Sequence, residues 1–126
     1  METTVAKRAL IIEDDAFFRE LLARNLSRHN FLVTALESGP EAERTLAEEH
    51  FSVVCFDIVV SGSEGLKKVS EFATGSKKDT TALLLLVDKD LFTEVRSWAE
   101  GAGVSVLVKQ DSSPDEIVAT LVAIAQ

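Results

Sequence analysis

Short, unbroken apolar runs alternate with amphipathic stretches along the whole chain, and this alternation leaves few folds open. Ala9-Leu10-Ile11-Ile12 is the first such run. It is β-branched and too short for a helix, so it reads as a strand buried on both faces. Phe17, Phe18, Leu21, Leu22 and Leu26 then recur at helical spacing and predict a helix from about Ala16 to His29. Phe31 to Leu36 predicts a second strand, and Gly39-Pro40 opens a second helix with Ala42, Leu46 and Ala47 on its inner face. Phe51 to Phe56 predicts a third strand that ends at Asp57. Ser61 to Gly65 is a turn, Leu66, Val69 and Phe72 mark a short helix, and Ala73 to Asp79 is polar and loop-like. Thr81 to Val87 carries four consecutive leucines, as a strand buried on both faces would. Leu91, Phe92, Val95, Trp98 and Ala99 form a helical stripe that Gly101-Ala102-Gly103 stops. Val104 to Val108 predicts a fifth strand. Ser112 to Glu116 is a helix-start signal before Ile117, Val118, Leu121, Val122 and Ile124. Five βα units with short connections predict an α/β fold, a doubly wound five-stranded parallel sheet with helices on both faces.

The chain has 126 residues, 46% of them hydrophobic, which suits one domain over residues 1–126 with a core of its own. It is expected to be a stand-alone domain or one domain of a longer protein. Thirteen basic against 21 acidic residues give a net charge of −8. That balance argues against a nucleic-acid or anionic-membrane surface on this domain, since both need a basic patch. Cys55 is the only cysteine, so neither a disulfide framework nor a thiolate metal site is expected, and its apolar neighbours mark it as core. The N-terminus lacks the apolar stretch of a signal peptide, and no run nears the roughly 20 apolar residues that span a bilayer. A cytoplasmic location is the default expectation.

In a doubly wound sheet, ligands sit beyond the C-terminal ends of the strands, near the switch in strand order. Glu13-Asp14-Asp15 follows strand one, Asp57 ends strand three and Lys109 ends strand five. Asp14, Asp57 and Lys109 are therefore expected to meet in one pocket. Clustered carboxylates repel, and a hard cation such as magnesium relieves this with one or two carboxylates, a carbonyl and waters. Lys109 would offset further charge. Asp15, directly before helix one, is better read as that helix's N-cap.

Taken in order, Leu10-Ile11-Ile12-Glu13-Asp14-Asp15, Asp57, Gly65-Leu66, Ala102-Gly103 and Leu107-Val108-Lys109 resemble the receiver domain of two-component response regulators, over essentially the whole chain. The resemblance implies the CheY-like, flavodoxin-like (βα)5 fold with strand order 2-1-3-4-5. It implies a phosphoryl group donated by a histidine kinase or histidine phosphotransfer protein to Asp57. It further implies Mg2+ held by Asp14 directly, by Glu13 through a water, by Asp57, and by the main-chain carbonyl of Val59. Lys109 would contact the phosphoryl group. An effector domain or a second copy would dock on the face made by the helix before strand five, strand five itself and the last helix.

Four positions depart from the family pattern. Strand four usually ends in Thr or Ser, and here it ends in Val87, which forfeits a charge-assisted hydrogen bond of roughly 1.5–3 kcal/mol. Asp88 replaces a small residue. Its carboxylate either faces the site, where it would repel a phosphoryl group, or turns outward as a helix cap. Val106 stands where the strand-five aromatic is usual, so both halves of the coupled switch are missing. Gln110 replaces a proline that follows a cis peptide. A non-proline cis bond costs about 2.5–4 kcal/mol, so Lys109-Gln110 is expected to be trans and its loop displaced.

A receiver with a weakened switch is thus the leading reading, and a phosphorylation-independent pseudo-receiver serving protein interaction or dimerisation is the alternative. An independent enzyme is disfavoured: there is no P-loop, no Asp-x-Asp nucleophile motif after strand one or on strand three, and no base–nucleophile pair of histidine and serine. Trp98 is expected to pack. Phe17 and Phe18 are expected to be one core and one boundary residue. His29 and His50 stand alone at helix ends.

Overall fold

A computed structural model of the chain describes residues 6–58, 67, 71 and 80–126. Five strands form one parallel sheet: β1 (Lys7–Ile12), β2 (Phe31–Leu36), β3 (Val53–Asp57), β4 (Ala82–Val87) and β5 (Ser105–Val108). Their order is β2-β1-β3-β4-β5, so the chain reverses its direction of travel between β1 and β3. Four helices are described in full: α1 (Ala16–Ser27), α2 (Pro40–Glu48), α3 (Phe92–Ala102) and α4 (Pro114–Ile124). Leu66, Val69 and Phe72, read as a further short helix, lie outside the described residues, as do Ser61 to Gly65; Lys67 and Glu71 are helical and exposed.

Alternation along the strands sorts the core into two layers. Ala9, Ile11, Val53, Cys55, Leu84 and Leu86 pack on one face with Leu22 and Leu26 of α1 and Ile117 and Leu121 of α4. Leu10, Ile12, Val54, Phe56, Leu85 and Val87 pack on the other with Ala42 of α2 and Val95 of α3. Leu84, Leu85 and Leu86 are wholly buried. Each such side chain contributes roughly 1.5–3 kcal/mol of apolar transfer, which is why this strand reads as a continuous apolar run. The Thr81 hydroxyl donates to the Phe51 carbonyl at 2.7 Å in the buried approach to β4.

The helix ends follow local chemistry. Asp15 caps α1 by accepting from the Phe18 amide at 2.9 Å, and Ser113 caps α4 by accepting from Glu116 at 3.1 Å. Gly103 ends α3 at φ 70°, a left-handed conformation that suits glycine. Three expectations need correction. Helix α1 stops at Ser27, two residues early, because Arg28 and His29 bond back in tighter turns and Asn30 takes φ 62°. Ala47 is exposed, and Thr45 is the buried partner of Ala42 on α2. Phe17 is 78% exposed, neither core nor boundary, while Phe18 packs against the first core layer. Trp98 is half-buried against the second layer.

Candidate functional site

Register places the acidic residues. Strand β1 pairs with β3 so that Ile11 lies opposite Cys55 and Ile12 opposite Phe56. One step further sets Glu13 opposite Asp57. Both continue the face occupied by Ala9, Ile11, Val53 and Cys55, and Lys109 continues it from Leu107 of β5. Three charged groups thus crown one apolar layer at the C-terminal edge of the sheet.

There the Lys109 ammonium donates to Glu13 Oε1 and to Asp57 Oδ2, each at 2.7 Å. Both carboxylate side chains are 2% exposed and the lysine 23%. The ammonium also lies 5.0 Å from the centre of the Phe18 ring, so an aromatic face backs it. Burial lowers the lysine's proton affinity, but the bonds and charges of Asp57 and Glu13 outweigh this and raise its pKa above the ordinary lysine value. Glu13 is pushed up to about 7, first by burial and then by the Asp57 carboxylate, with Lys109 opposing in part. Burial also raises the Cys55 thiol, followed by the charges of Glu13 and Asp57, so it stays protonated and inert.

Asp14 bonds toward the end of β2. Successive strand residues face opposite sides, and the pairing of Ile12 with Leu36 extends to Asp14 with Ser38. The Ser38 amide donates to Asp14 Oδ1 at 2.6 Å, and the Ser38 hydroxyl lies 2.8 Å from both carboxylate oxygens. The acid that shares Lys109 with Asp57 is therefore Glu13, where Asp14 was expected. Val59 lies outside the described residues. Sequence alone singles out neither Ser38 nor Phe18 for this site, because both reach it through pairing and packing.

Two buried carboxylates share one ammonium, which leaves a net negative charge. Glu13 Oε2 is buried with no hydrogen-bond partner among the described residues. Among those residues no three His, Cys, Asp or Glu side chains converge at metal-ligand spacing. Magnesium does not need three, since it takes one or two carboxylates and keeps several waters. The donor set fits such a hard cation.

The sequence profile of the response regulator receiver domain matches residues 9–122. The chain belongs to this family. The receiver domain is 32% identical over 117 residues to Protein PetR of Rhodobacter capsulatus, covering 91% of this chain and 47% of that protein. It is 25% identical over 118 residues to the transcriptional regulatory protein ResD of Bacillus subtilis, covering 94% and 48%. The chain thus spans about half the length of these curated relatives. Among solved structures it resembles a sensor protein from Polaromonas sp. JS666, with TM-score 0.76, 18% identity and 94% of each chain covered. Chemotaxis protein CheY4 of Vibrio cholerae gives TM-score 0.74 at 20% identity, covering 94% of this chain and 98% of that one. The CheY-like fold and strand order follow. Receiver domains are generally non-enzymatic signalling domains that commonly bind Mg2+. No helix among the described residues is long and apolar enough to cross a membrane.

The four departing positions of this receiver domain fall into two pairs. Val87 is wholly buried in the second core layer, and Val106 packs against the same layer, so both are apolar filling. Asp88 turns outward. Its Oδ1 accepts from the Asp90 amide at 2.9 Å, capping a 3-10 turn over Lys89–Leu91, and its Oδ2 accepts from Gln110 Nε2 at 2.6 Å. The Asp90 amide and then Gln110 hold the Asp88 carboxyl below its ordinary pKa. Gln110 Oε1 in turn accepts from the Lys89 amide at 3.2 Å. The loops after β4 and β5 are thereby clasped to each other. No peptide bond among the described residues is cis, so Lys109–Gln110 is trans.

Proposed function

We propose that this receiver domain accepts a phosphoryl group on Asp57 from a histidine kinase or histidine phosphotransfer protein, and that its conformational switch is weakened. The observation that carries the reading is the Lys109 ammonium bridging two buried carboxylates at the ends of β1 and β3. An Asp57 oxygen attacks phosphorus, the phosphorus–nitrogen bond of the donor histidine breaks, and its electron pair leaves with the imidazole. Lys109 already touches the attacked carboxylate and turns to an equatorial phosphoryl oxygen as charge builds there. Glu13, Asp14, Asp57 and the Val59 carbonyl would hold magnesium, which when bound supplies positive charge against the phosphoryl oxygens.

Val87 offers that phosphoryl group no hydroxyl, and Val106 offers no ring to repack, so the usual relay has no moving parts here. The output is an effector domain or a second copy docked on the face of α3, β5 and α4. The net charge of −8 speaks against nucleic acid or membrane as this domain's own partner, and a cytoplasmic location fits such signalling. Acetyl phosphate with magnesium, followed by intact-mass measurement, tests the reading. A single phosphoryl adduct lost in Asp57→Asn is expected, and no adduct on the native chain overturns it. The pseudo-receiver alternative rests on the Asp88–Gln110 clasp, which joins the two loops a switch would move independently. It predicts the same effector affinity with and without phosphodonor.

A further inference from the structure

Glu13 and Asp14 are neighbours whose carboxylates are satisfied very differently. Glu13 Oε1 accepts from Lys109 and, at 3.3 Å, from the Asp15 amide, while Oε2 is buried without a partner among the described residues. Asp14 has the Ser38 amide on Oδ1 and the Ser38 hydroxyl within 2.8 Å of both oxygens. A hydroxyl carries one proton, so the two Asp14 oxygens share one donor and the carboxylate is held flat against Ser38. The spare acceptor capacity of the acidic pair sits on Glu13, beside Asp57.

We propose that Ser38 is a positioning residue that ties Asp14 to the end of β2 and so weakens divalent-cation binding at the neighbouring Glu13–Asp57 pocket. The inference rests on reading that pocket as a magnesium site. Asp14 ligates a cation only after giving up a charge-assisted bond, and a binding-competent state reached at a cost lowers apparent affinity by its population. Ser38 is exposed, so replacing it disturbs no core packing. In Ser38→Ala the amide bond to Oδ1 persists and only the hydroxyl is lost.

Manganese titration of the full chain, followed by the electron paramagnetic resonance of free Mn2+, tests this. Ser38→Ala is expected to bind about tenfold tighter, the order set by one charge-assisted hydrogen bond. Ser38→Thr keeps the hydroxyl and should match the native chain. In an Asp14→Asn background, Ser38→Ala should change nothing, because Ser38 acts only through Asp14. Ser38→Ala binding no tighter than the native chain, or a gain that survives in Asp14→Asn, overturns the proposal. Thermal melts of each variant by circular dichroism separate misfolding from altered affinity. If the native chain takes up no Mn2+, or if Asp57→Asn binds it equally well, the magnesium reading itself fails and takes this proposal with it. Binding that depends on Asp57 but ignores Ser38 overturns the proposal alone.

Discussion

Replacing Lys109 with methionine removes the ammonium that lies over the Phe18 ring and keeps most of the apolar stem. Glu13 and Asp57, each 2% exposed, are left facing one another without the Lys109 ammonium. Breaking a buried pair by deleting one partner costs about 3–5 kcal/mol, and the lysine's own 23% exposure points to the lower end, about 3 kcal/mol. The loss must depend on pH. Glu13 in the folded chain has a pKa of about 7, raised from 4.5 by burial and then by Asp57. An acid with a raised folded pKa binds its proton more tightly when folded. Glu13's contribution to native stability therefore falls as pH rises from 4.5 through about 7, by on the order of 3 kcal/mol, and is level above that. Without Lys109 the main opposition to the burial and Asp57 effects is gone, so the folded pKa rises and the falling limb extends to higher pH. At pH near 5 Glu13 is protonated in both proteins, and the variant should lose only about 1 kcal/mol through Asp57. At pH near 8 it should lose about 3 kcal/mol. Urea denaturation in the presence of a chelator, read by Trp98 fluorescence, measures both. An equal loss at the two pH values would refute the reasoning, as would a native chain that grows more stable between them.

Val87→Thr places a hydroxyl in an apolar layer and should cost about 1–3 kcal/mol in urea denaturation without phosphodonor; no loss would mean the hydroxyl finds a partner in the site. Thr81→Val removes the buried donor to the Phe51 carbonyl and should cost about 1–3 kcal/mol, read as a lower urea midpoint at unchanged slope. Gln110→Ala opens the clasp, and the Lys89 amide should exchange its hydrogen severalfold faster with little change elsewhere. Phe17→Ala, at a position 78% exposed, should leave stability within about 0.5 kcal/mol of native.

The order of elements, the parallel sheet and the placing of charged residues at strand ends were all legible in the linear chain. Each depends on a local pattern: β-branched runs such as Ala9 to Ile12, helical stripes such as Ile117 to Leu121, and Gly103 as a helix stop. Hydrophobic transfer acts on such patterns whatever lies far away. Val87, Val106 and Gln110 stood out only against the receiver pattern that the sequence resembles, and that comparison needs no coordinates.

Contacts across strands were decided only in three dimensions. Which of Glu13 and Asp14 meets Asp57 is a question of register, and a one-residue slip exchanges the two faces of a strand. The pairing of Ile11 with Cys55 settles it for Glu13, and the pairing of Ile12 with Leu36 delivers Asp14 to Ser38. Asp88 and Gln110, 22 residues apart, could not be seen as partners until β4 and β5 lay side by side. Local propensity marks where a strand begins and ends. Its alignment with a neighbour is set by the packing of both sheet faces at once, and that is a property of the assembled core.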